Sequence, residues 1–161
     1  MPATIHMLCG FIASGKTTFA RRLEAERGGV LLSNDRAMVT LFGTDPDLPR
    51  AQFDAMRARI DRLNLGYAQR LLELGVDVVL DNGFWTRSER DAIRAFAAAR
   101  GAGVRMYYID CPAQKMRARA VARSQNPDND AMLVTAETWD SLRARFEPPA
   151  SDEVFEIVAS D

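Results

Sequence analysis

A glycine-bearing segment near the start of the chain has the residue types and spacing that bind a chain of phosphates. Residues 10–17 read GFIASGKT and match G-x-x-x-x-G-K-[ST] in full. In such a loop the backbone N–H groups surround a phosphate, and the helix that follows adds the positive end of its dipole. Lys16 can bridge the β- and γ-phosphates, and the Thr17 hydroxyl can ligate Mg²⁺. The predicted nucleotide-binding residues are Gly10, Ala13, Ser14, Gly15, Lys16, Thr17 and Thr18.

Two carboxylates follow strand-like segments and could complete a site for phosphoryl transfer. Asp81 ends the apolar run VVL-D, where it could hold Mg²⁺ through water, or could only form a turn before Asn82 and Gly83. Asp35 follows the apolar run VLLS and could accept a proton from an acceptor hydroxyl. Alternatively, Asn34 or Asp35 only caps a short helix. The residues by themselves leave both interpretations of Asp35 open.

A basic segment at residues 113–123 could supply cations to the same site. Its basic residues are Lys115, Arg117, Arg119 and Arg123. Arg119 and Arg123 are four residues apart and share one helix face, where they could neutralise charge on a phosphoryl group in transfer. With the polar stretch SQNPDND that follows, the segment predicts a mobile lid over residues 113–135. The alternative is a solvated helix face, although the segment has no interspersed acids.

The elements that would position these residues alternate between strands and helices. Strands are predicted at residues 4–9, 30–33, 76–80, 104–109 and 154–158. Helices are predicted at residues 15–27, 51–74, 86–100, 113–123 and 136–146, with a mixed segment at 34–49. This alternation predicts an α/β domain whose mostly parallel sheet is covered on both faces, with ligands beyond the carboxyl ends of the strands.

The long helix at residues 51–74 has apolar residues at three- and four-residue steps, which predicts one buried face. The residues of that predicted face are Phe53, Met56, Ile60, Leu63, Tyr67, Leu71 and Leu74.

Composition narrows the class of protein. The chain has 161 residues, close to the size of one domain, and its 21 basic and 22 acidic residues give a net charge of -1. That balance argues against a dedicated nucleic-acid or anionic-membrane binder. Two cysteines without a CxxC pair and a single histidine, His6, favour a reduced, cytoplasmic protein without a zinc site. The N-terminus does not have the pattern of a signal peptide, and no apolar run approaches the ~20 residues of a membrane span.

Nearly the whole chain resembles a group of P-loop kinases that includes polynucleotide 5′-kinases, chloramphenicol phosphotransferase and zeta-toxin-type kinases. The resemblance rests on GFIASGKTT, LLSNDRAM, VVLDNGFWTRSERDAIRAFAAARG and YYIDCPAQKMRARAVAR. It implies a three-layer P-loop fold with a five-stranded parallel sheet of order 2-3-1-4-5 and a helical lid. It also implies ATP and Mg²⁺ as cofactors.

The same resemblance assigns roles to particular residues. It implies that Lys16 and Thr17 bind ATP and Mg²⁺, that Asp35 is the general base and that Asp81 helps to hold the metal. The lid arginines match Arg119 and Arg123 best, with Arg117 as the alternative.

Two departures from the polynucleotide kinases bear on the phosphoryl acceptor. Met38 stands where those enzymes have an arginine that grips a substrate phosphate, and the chain has no large basic excess. The prediction is therefore an ATP-dependent kinase whose acceptor is a small-molecule hydroxyl. The alternatives are a polynucleotide 5′-hydroxyl kinase and a nucleotide-binding regulatory protein that transfers nothing.

Overall fold

Strands and helices alternate along the part of the chain that the computed structural model describes, residues 2–43, 48–125 and 134–160. In chain order the elements are β1 (Thr4–Cys9), α1 (Lys16–Arg27), β2 (Val30–Leu32), α2 (Asn34–Phe42), α3 (Arg50–Glu73), β3 (Val78–Gly83), α4 (Arg87–Ala98), β4 (Gly103–Asp110), α5 (Ala113–Gln125), α6 (Ala136–Arg143) and β5 (Glu156–Ala159).

The five strands form one parallel sheet in the order β2-β3-β1-β4-β5. This confirms the predicted α/β fold class and the strand order that the resemblance implied. β1 lies at the centre, and Ile5, Met7 and Leu8 are fully buried because both faces of the sheet are covered. Since the strands are parallel, the segments that follow β1, β2 and β3 meet at one edge of the sheet.

Two apolar clusters show how the layers are arranged. On one face of the sheet, Phe19 and Leu23 of α1 pack with Leu8 and Ile109. On the other face, a larger cluster joins side chains of the sheet to residues of α3, α4, α5 and α6, among them Ala68, Ile93, Met116 and Trp139. The sheet is therefore the middle of three layers.

The buried face of α3 differs from the predicted one. Ile60, Asn64 and Ala68 are buried at four-residue steps. In contrast, Leu63, Tyr67 and Leu74 are 49%, 55% and 59% exposed, so the prediction was wrong for these three residues. The reason is that the polar Asn64 occupies the centre of the buried face, where a search for apolar periodicity does not place it.

The segment after β2 also differs from the prediction. Residues 34–42 form the helix α2, which begins at the cap residue Ser33, whose hydroxyl oxygen accepts a hydrogen bond from the Arg36 amide at 3.3 Å. Neither Asn34 nor Asp35 is the cap. Residues 44–47 of the predicted mixed segment lie outside the described residues.

β3 begins two residues later and ends three residues later than predicted, at Val78 and Gly83. Its register against β1 shifts between Met7 and Cys9, and Cys9 pairs with Gly83. Asp81 therefore lies within β3 and not at its end.

No helix in the described ranges is both long enough and apolar enough to cross a lipid bilayer.

Candidate active site

The loop between β1 and α1 is shaped to receive an anion. Gly15 precedes α1 in a left-handed conformation, with φ of 100°, and no side chain caps this helix. Gly15 therefore offers no side-chain acceptor to the N–H groups of the first helical turn, which lie at the positive end of the helix dipole. These features fit a phosphate group at the start of α1.

The predicted nucleotide-binding residues fall into two sets. Ala13, Gly15, Lys16, Thr17 and Thr18 line a cavity of about 1000 Å³. Gly10 and Ser14 lie behind that surface. The Gly10 amide donates to the Gly83 carbonyl at 3.0 Å, and a Cβ added at Gly10 would lie 2.8 Å from the Ser14 hydroxyl oxygen. Gly10 thus leaves room for Ser14 of the loop and for Ile109 of β4, which an added Cβ would approach to 3.3 Å.

Lys16 lies at the centre of the charged groups in this cavity. Its ammonium group donates to the Phe11 carbonyl oxygen at 2.7 Å. Burial lowers the pKa of Lys16, whereas the charges of Asp81 and Asp35 raise it. Both carboxylates therefore lie close enough to stabilise the charged ammonium, the form that binds phosphate.

Thr17 and Asp81 form a direct contact between α1 and β3. The Thr17 hydroxyl donates to a carboxylate oxygen of Asp81 at 2.7 Å, and Asp81 is buried. Burial raises the pKa of Asp81, whereas the charge of Lys16 and the hydrogen bond from Thr17 lower it. A hydroxyl and a carboxylate at this distance are the oxygen donors that suit Mg²⁺ bound to a nucleotide.

Asp35 lies in the first turn of α2, on the wall of the same cavity. The chain holds this turn against β3, because the backbone amide of Asn34 donates to the side-chain oxygen of Asn82 at 3.3 Å. Asp35 itself is exposed, and its charge acts on both Lys16 and Asp81. The fold thus brings together carboxylates that are far apart in the sequence.

Two of the three candidate lid arginines line the cavity, and the third is paired elsewhere. Arg119 and Arg123 line the cavity, and Arg119 donates to the Ser160 hydroxyl at 3.1 Å. Arg117 instead forms two hydrogen bonds of 2.9 Å with Asp140 of α6. The geometry therefore favours Arg119 and Arg123 for contacts inside the cavity. Residues 126–133 of the predicted lid lie outside the described residues.

Other residues of the cavity wall were not singled out in the sequence. They come from α3, the end of β3, α6 and the segment after α6, and include Arg50, Phe53, Arg57, Asn82, Thr138 and Arg145. The apolar pattern of α3 predicted Phe53 as a core residue, and no motif indicates which arginine of this arginine-rich helix faces a cavity. Their positions follow from packing between elements that are distant in the sequence.

His6 and the two cysteines do not line the candidate active-site cavity. The two ring nitrogens of His6 lie 3.2 Å from the Tyr107 hydroxyl oxygen and 3.1 Å from an Asp77 carboxylate oxygen. Cys9 and Cys111 are buried free thiols, and burial raises the pKa of Cys9 to about 11. Neither His6 nor Cys9 lines the cavity described above.

Comparison with known proteins supports this description of the fold. A family model described as an AAA domain matches residues 5–149, which is most of the chain. No curated protein sequence matches this chain.

Several solved structures have the same fold. A candidate kinase from Chloroflexus aurantiacus superposes with a TM-score of 0.78 at 15% identity, over 99% of this chain and 89% of that one. Kti12 from Chaetomium thermophilum, in complex with ADP-AlF3, has a TM-score of 0.70 at 18% identity, over 98% and 89% of the two chains. A gluconokinase from Sinorhizobium meliloti has a TM-score of 0.64 at 18% identity, over 98% and 82%. At these identities the similarity establishes the fold.

Proposed function

Because this chain belongs to the AAA domain family, whose model spans residues 5–149, we propose that it is an ATP-dependent kinase that phosphorylates a hydroxyl group of a small molecule. A shared fold does not determine an activity, so the proposal depends on the site. The observation that carries it is the presence of Asp35 in the same cavity as Lys16, Thr17 and Asp81. Kinase chemistry needs a proton acceptor beside the triphosphate site, and a purely regulatory nucleotide-binding protein does not.

The binding step uses the loop between β1 and α1. The first-turn amides of α1 and the Lys16 ammonium would hold the β- and γ-phosphates of ATP, with Lys16 exchanging its contact with the Phe11 carbonyl for phosphate oxygens. Thr17 and Asp81 would hold Mg²⁺, which supplies positive charge to the phosphate oxygens when it is bound. Kti12, a protein with the same fold, is in complex with ADP-AlF3, which supports nucleotide binding by this chain.

In the transfer step, an oxygen of the acceptor hydroxyl bonds to the γ-phosphorus as the bond from that phosphorus to the bridging oxygen of ADP breaks. The Asp35 carboxylate takes the proton that the hydroxyl loses. Lys16, Arg119 and Arg123 stabilise the negative charge that spreads over the phosphoryl oxygens. Most of the rate gain would come from positioning and electrostatics, as is usual for phosphoryl transfer.

Two substitutions separate binding from transfer. In Lys16→Ala, calorimetric titration with Mg-ATP should show a large loss of affinity because the Lys16 ammonium that would bind the phosphates is removed.

In Asp35→Asn, ATP affinity should change little, whereas single-turnover transfer to the acceptor should fall about 100- to 10,000-fold because the proton acceptor is lost.

The matched control is Asp54→Asn, which removes a carboxylate of α3 that pairs with Arg50 on the same cavity wall. It should retain most of the transfer rate, since Asp54 has no role in the proposed chemistry. Full transfer by Asp35→Asn would remove Asp35 from the role of base. Failure of the unmodified protein to bind ATP would contradict the proposed function as a whole.

A further inference from the structure

Arg57 is a cation of the cavity wall whose bonding capacity is hardly used by the described residues. It belongs to the first half of α3, it is half-buried, and it faces the end of β3. Its guanidinium donates to the carbonyl oxygen of Asn82 at 3.4 Å, which is a long hydrogen bond. A guanidinium has five N–H donors, so most of them remain for another acceptor.

Arg50, the other arginine of α3 on the cavity wall, pairs with a carboxylate. Arg50 pairs with Asp54 at 3.0 Å, and it also lies over the Phe53 ring at 5.5 Å. Within the described residues, no carboxylate forms such an ion pair with Arg57. Arg57 is therefore an arginine of α3 that no described carboxylate offsets, and it can offer a parallel pair of N–H groups to a ligand in the cavity.

The position of Arg57 relates it to the acceptor side of the cavity. Asn82, which it contacts, follows Asp81 directly, and the Asn82 side chain holds the first turn of α2 where Asp35 lies. Arg57 is thus on the wall that would surround the acceptor hydroxyl. The phosphate loop and Arg119 are on other elements of the cavity wall, after β1 and β4.

We propose that the acceptor carries an anionic group, a carboxylate or a phosphate, beside its reacting hydroxyl, and that Arg57 binds this group. The proposal rests on the kinase function above and specifies its substrate class. A half-buried guanidinium gains most from an oxyanion that accepts two N–H bonds, since such charge-assisted pairs are about twice as strong as neutral hydrogen bonds. A neutral polyol would leave the charge of Arg57 uncompensated.

Calorimetry with pairs of simple hydroxyl compounds tests this preference for an anion. The complete protein is saturated with Mg²⁺ and a non-hydrolysable ATP analogue, so that the phosphate loop is filled. It is then titrated with matched probes that differ in charge: glycerol, glycerate and glycerol 3-phosphate, followed by glucose, gluconate and glucose 6-phosphate. We expect anionic probes to bind at least 10-fold more tightly than their neutral partners, and the carboxylate and phosphate arms identify which anion is preferred.

Variants then assign the effect to Arg57. Arg57→Gln should weaken binding of the preferred anionic probe about 10- to 100-fold, and Arg57→Lys should weaken it less because the charge remains. Affinity for the ATP analogue should be unchanged in both variants. Arg59→Gln is the control, because Arg59 is an exposed residue of the same helix that does not line the cavity. It should behave like the unmodified protein.

Three outcomes with the small probes would overturn the proposal while leaving the kinase function standing. They are nucleotide binding without binding of any anionic probe, equal affinity for neutral and anionic probes, and anion binding that Arg57→Gln does not weaken. Tight binding of a single-stranded oligonucleotide with a steep loss in salt, together with no binding of the small probes, would also overturn it. Loss of nucleotide binding in the unmodified protein would instead count against the kinase function.

Discussion

At Gly15 the chain adopts a φ of 100°, and an added Cβ would lie 2.8 Å from the hydroxyl oxygen of Ser160. Only glycine reaches this conformation without a steric penalty, and the contact leaves no room for a methyl group. A side chain at position 15 of the phosphate loop is thus disfavoured for two reasons. One is the backbone conformation there, and the other is the contact with Ser160, which follows β5.

Gly15→Ala should therefore weaken the binding of Mg-ATP by at least about 10-fold, because strain of about 1–3 kcal/mol would displace the loop or the start of α1. Calorimetric titration measures this change. Gly28→Ala is the control, since Gly28 also has a positive φ, of 65°, but an added Cβ there meets nothing within 4 Å. It should lower thermal stability and leave ATP affinity unchanged. Equal ATP affinity in Gly15→Ala and the unmodified protein would contradict this view of the loop.

At the scale of elements, buried amides determine where α2 and its Asp35 lie. Asn34 is buried, and its side chain donates to an Asp61 carboxylate oxygen and accepts from the Asn64 side chain at 2.8 Å. Its backbone amide donates to Asn82 at 3.3 Å. The first turn of α2 is thereby joined to both α3 and β3, so the residue next to Asn34 is held at a defined place in the cavity.

Asn64→Leu should remove one of these contacts and leave the Asn34 side-chain oxygen without its donor. We expect a loss of about 1–3 kcal/mol in the free energy of unfolding, measured by urea denaturation. As a positioning residue, Asn64 should affect kcat for transfer more than the affinity for ATP, because the phosphate loop is on other elements.

The control for this substitution is Gln52→Leu, which replaces an exposed amide of the same helix. This variant should change the free energy of unfolding and kcat little. If Asn64→Leu reduced kcat only in proportion to the fraction of protein that unfolds, the network would be structural and would not position Asp35.

At the scale of the whole molecule, a buried ion pair joins the last segment of the chain to the rest of the domain. Arg90 of α4 donates to both carboxylate oxygens of Glu153, at 2.9 and 2.8 Å, and to the carbonyl oxygens of Phe84 and Glu147. The hydrogen bonds from Arg90 lower the pKa of Glu153 to about 2, although burial opposes this change. β5 and Ser160, which borders the phosphate loop, follow this junction in the chain.

Glu153→Gln should lower the free energy of unfolding by about 3–5 kcal/mol at pH 7, because it leaves the buried Arg90 charge without its partner. The folded-state pKa of Glu153 lies below its ordinary value of 4.5, so its ionised form stabilises the fold fully above about that pH. That contribution is lost as the pH falls from 4.5 towards 2. The difference in stability between variant and unmodified protein should therefore shrink over this range, as measured by urea denaturation at several pH values.

Asp152→Asn is the control for the ion pair. Asp152 pairs with Arg87 at 2.8 Å, but both side chains are substantially exposed, so its removal should cost less than about 1 kcal/mol. A stability difference for Glu153→Gln that stays constant from pH 7 to pH 2 would contradict the assigned role of the carboxylate.

The sequence by itself determined the features that depend on local chemistry. The phosphate loop, the strand at Thr4–Cys9 and the helices that end at glycines follow from motif, apolar runs and backbone preferences of neighbouring residues. The alternation of strands and helices was enough to predict a parallel sheet, and the resemblance to P-loop kinases supplied the strand order. Lys16, Thr17 and Asp81 could be selected because each lies in such a local pattern, whereas the role of Asp35 came from the resemblance.

Only the tertiary structure decided which side chains meet. It placed Arg119 and Arg123, the pair that the sequence favoured, on the cavity wall, and it paired the alternative, Arg117, with Asp140. It also placed Asn64 on the buried face of α3 and Arg57 beside Asn82. Local periodicity could not predict these contacts, because each depends on the packing of residues that are far apart in the chain and on polar groups that find partners only when the sheet and its helices come together.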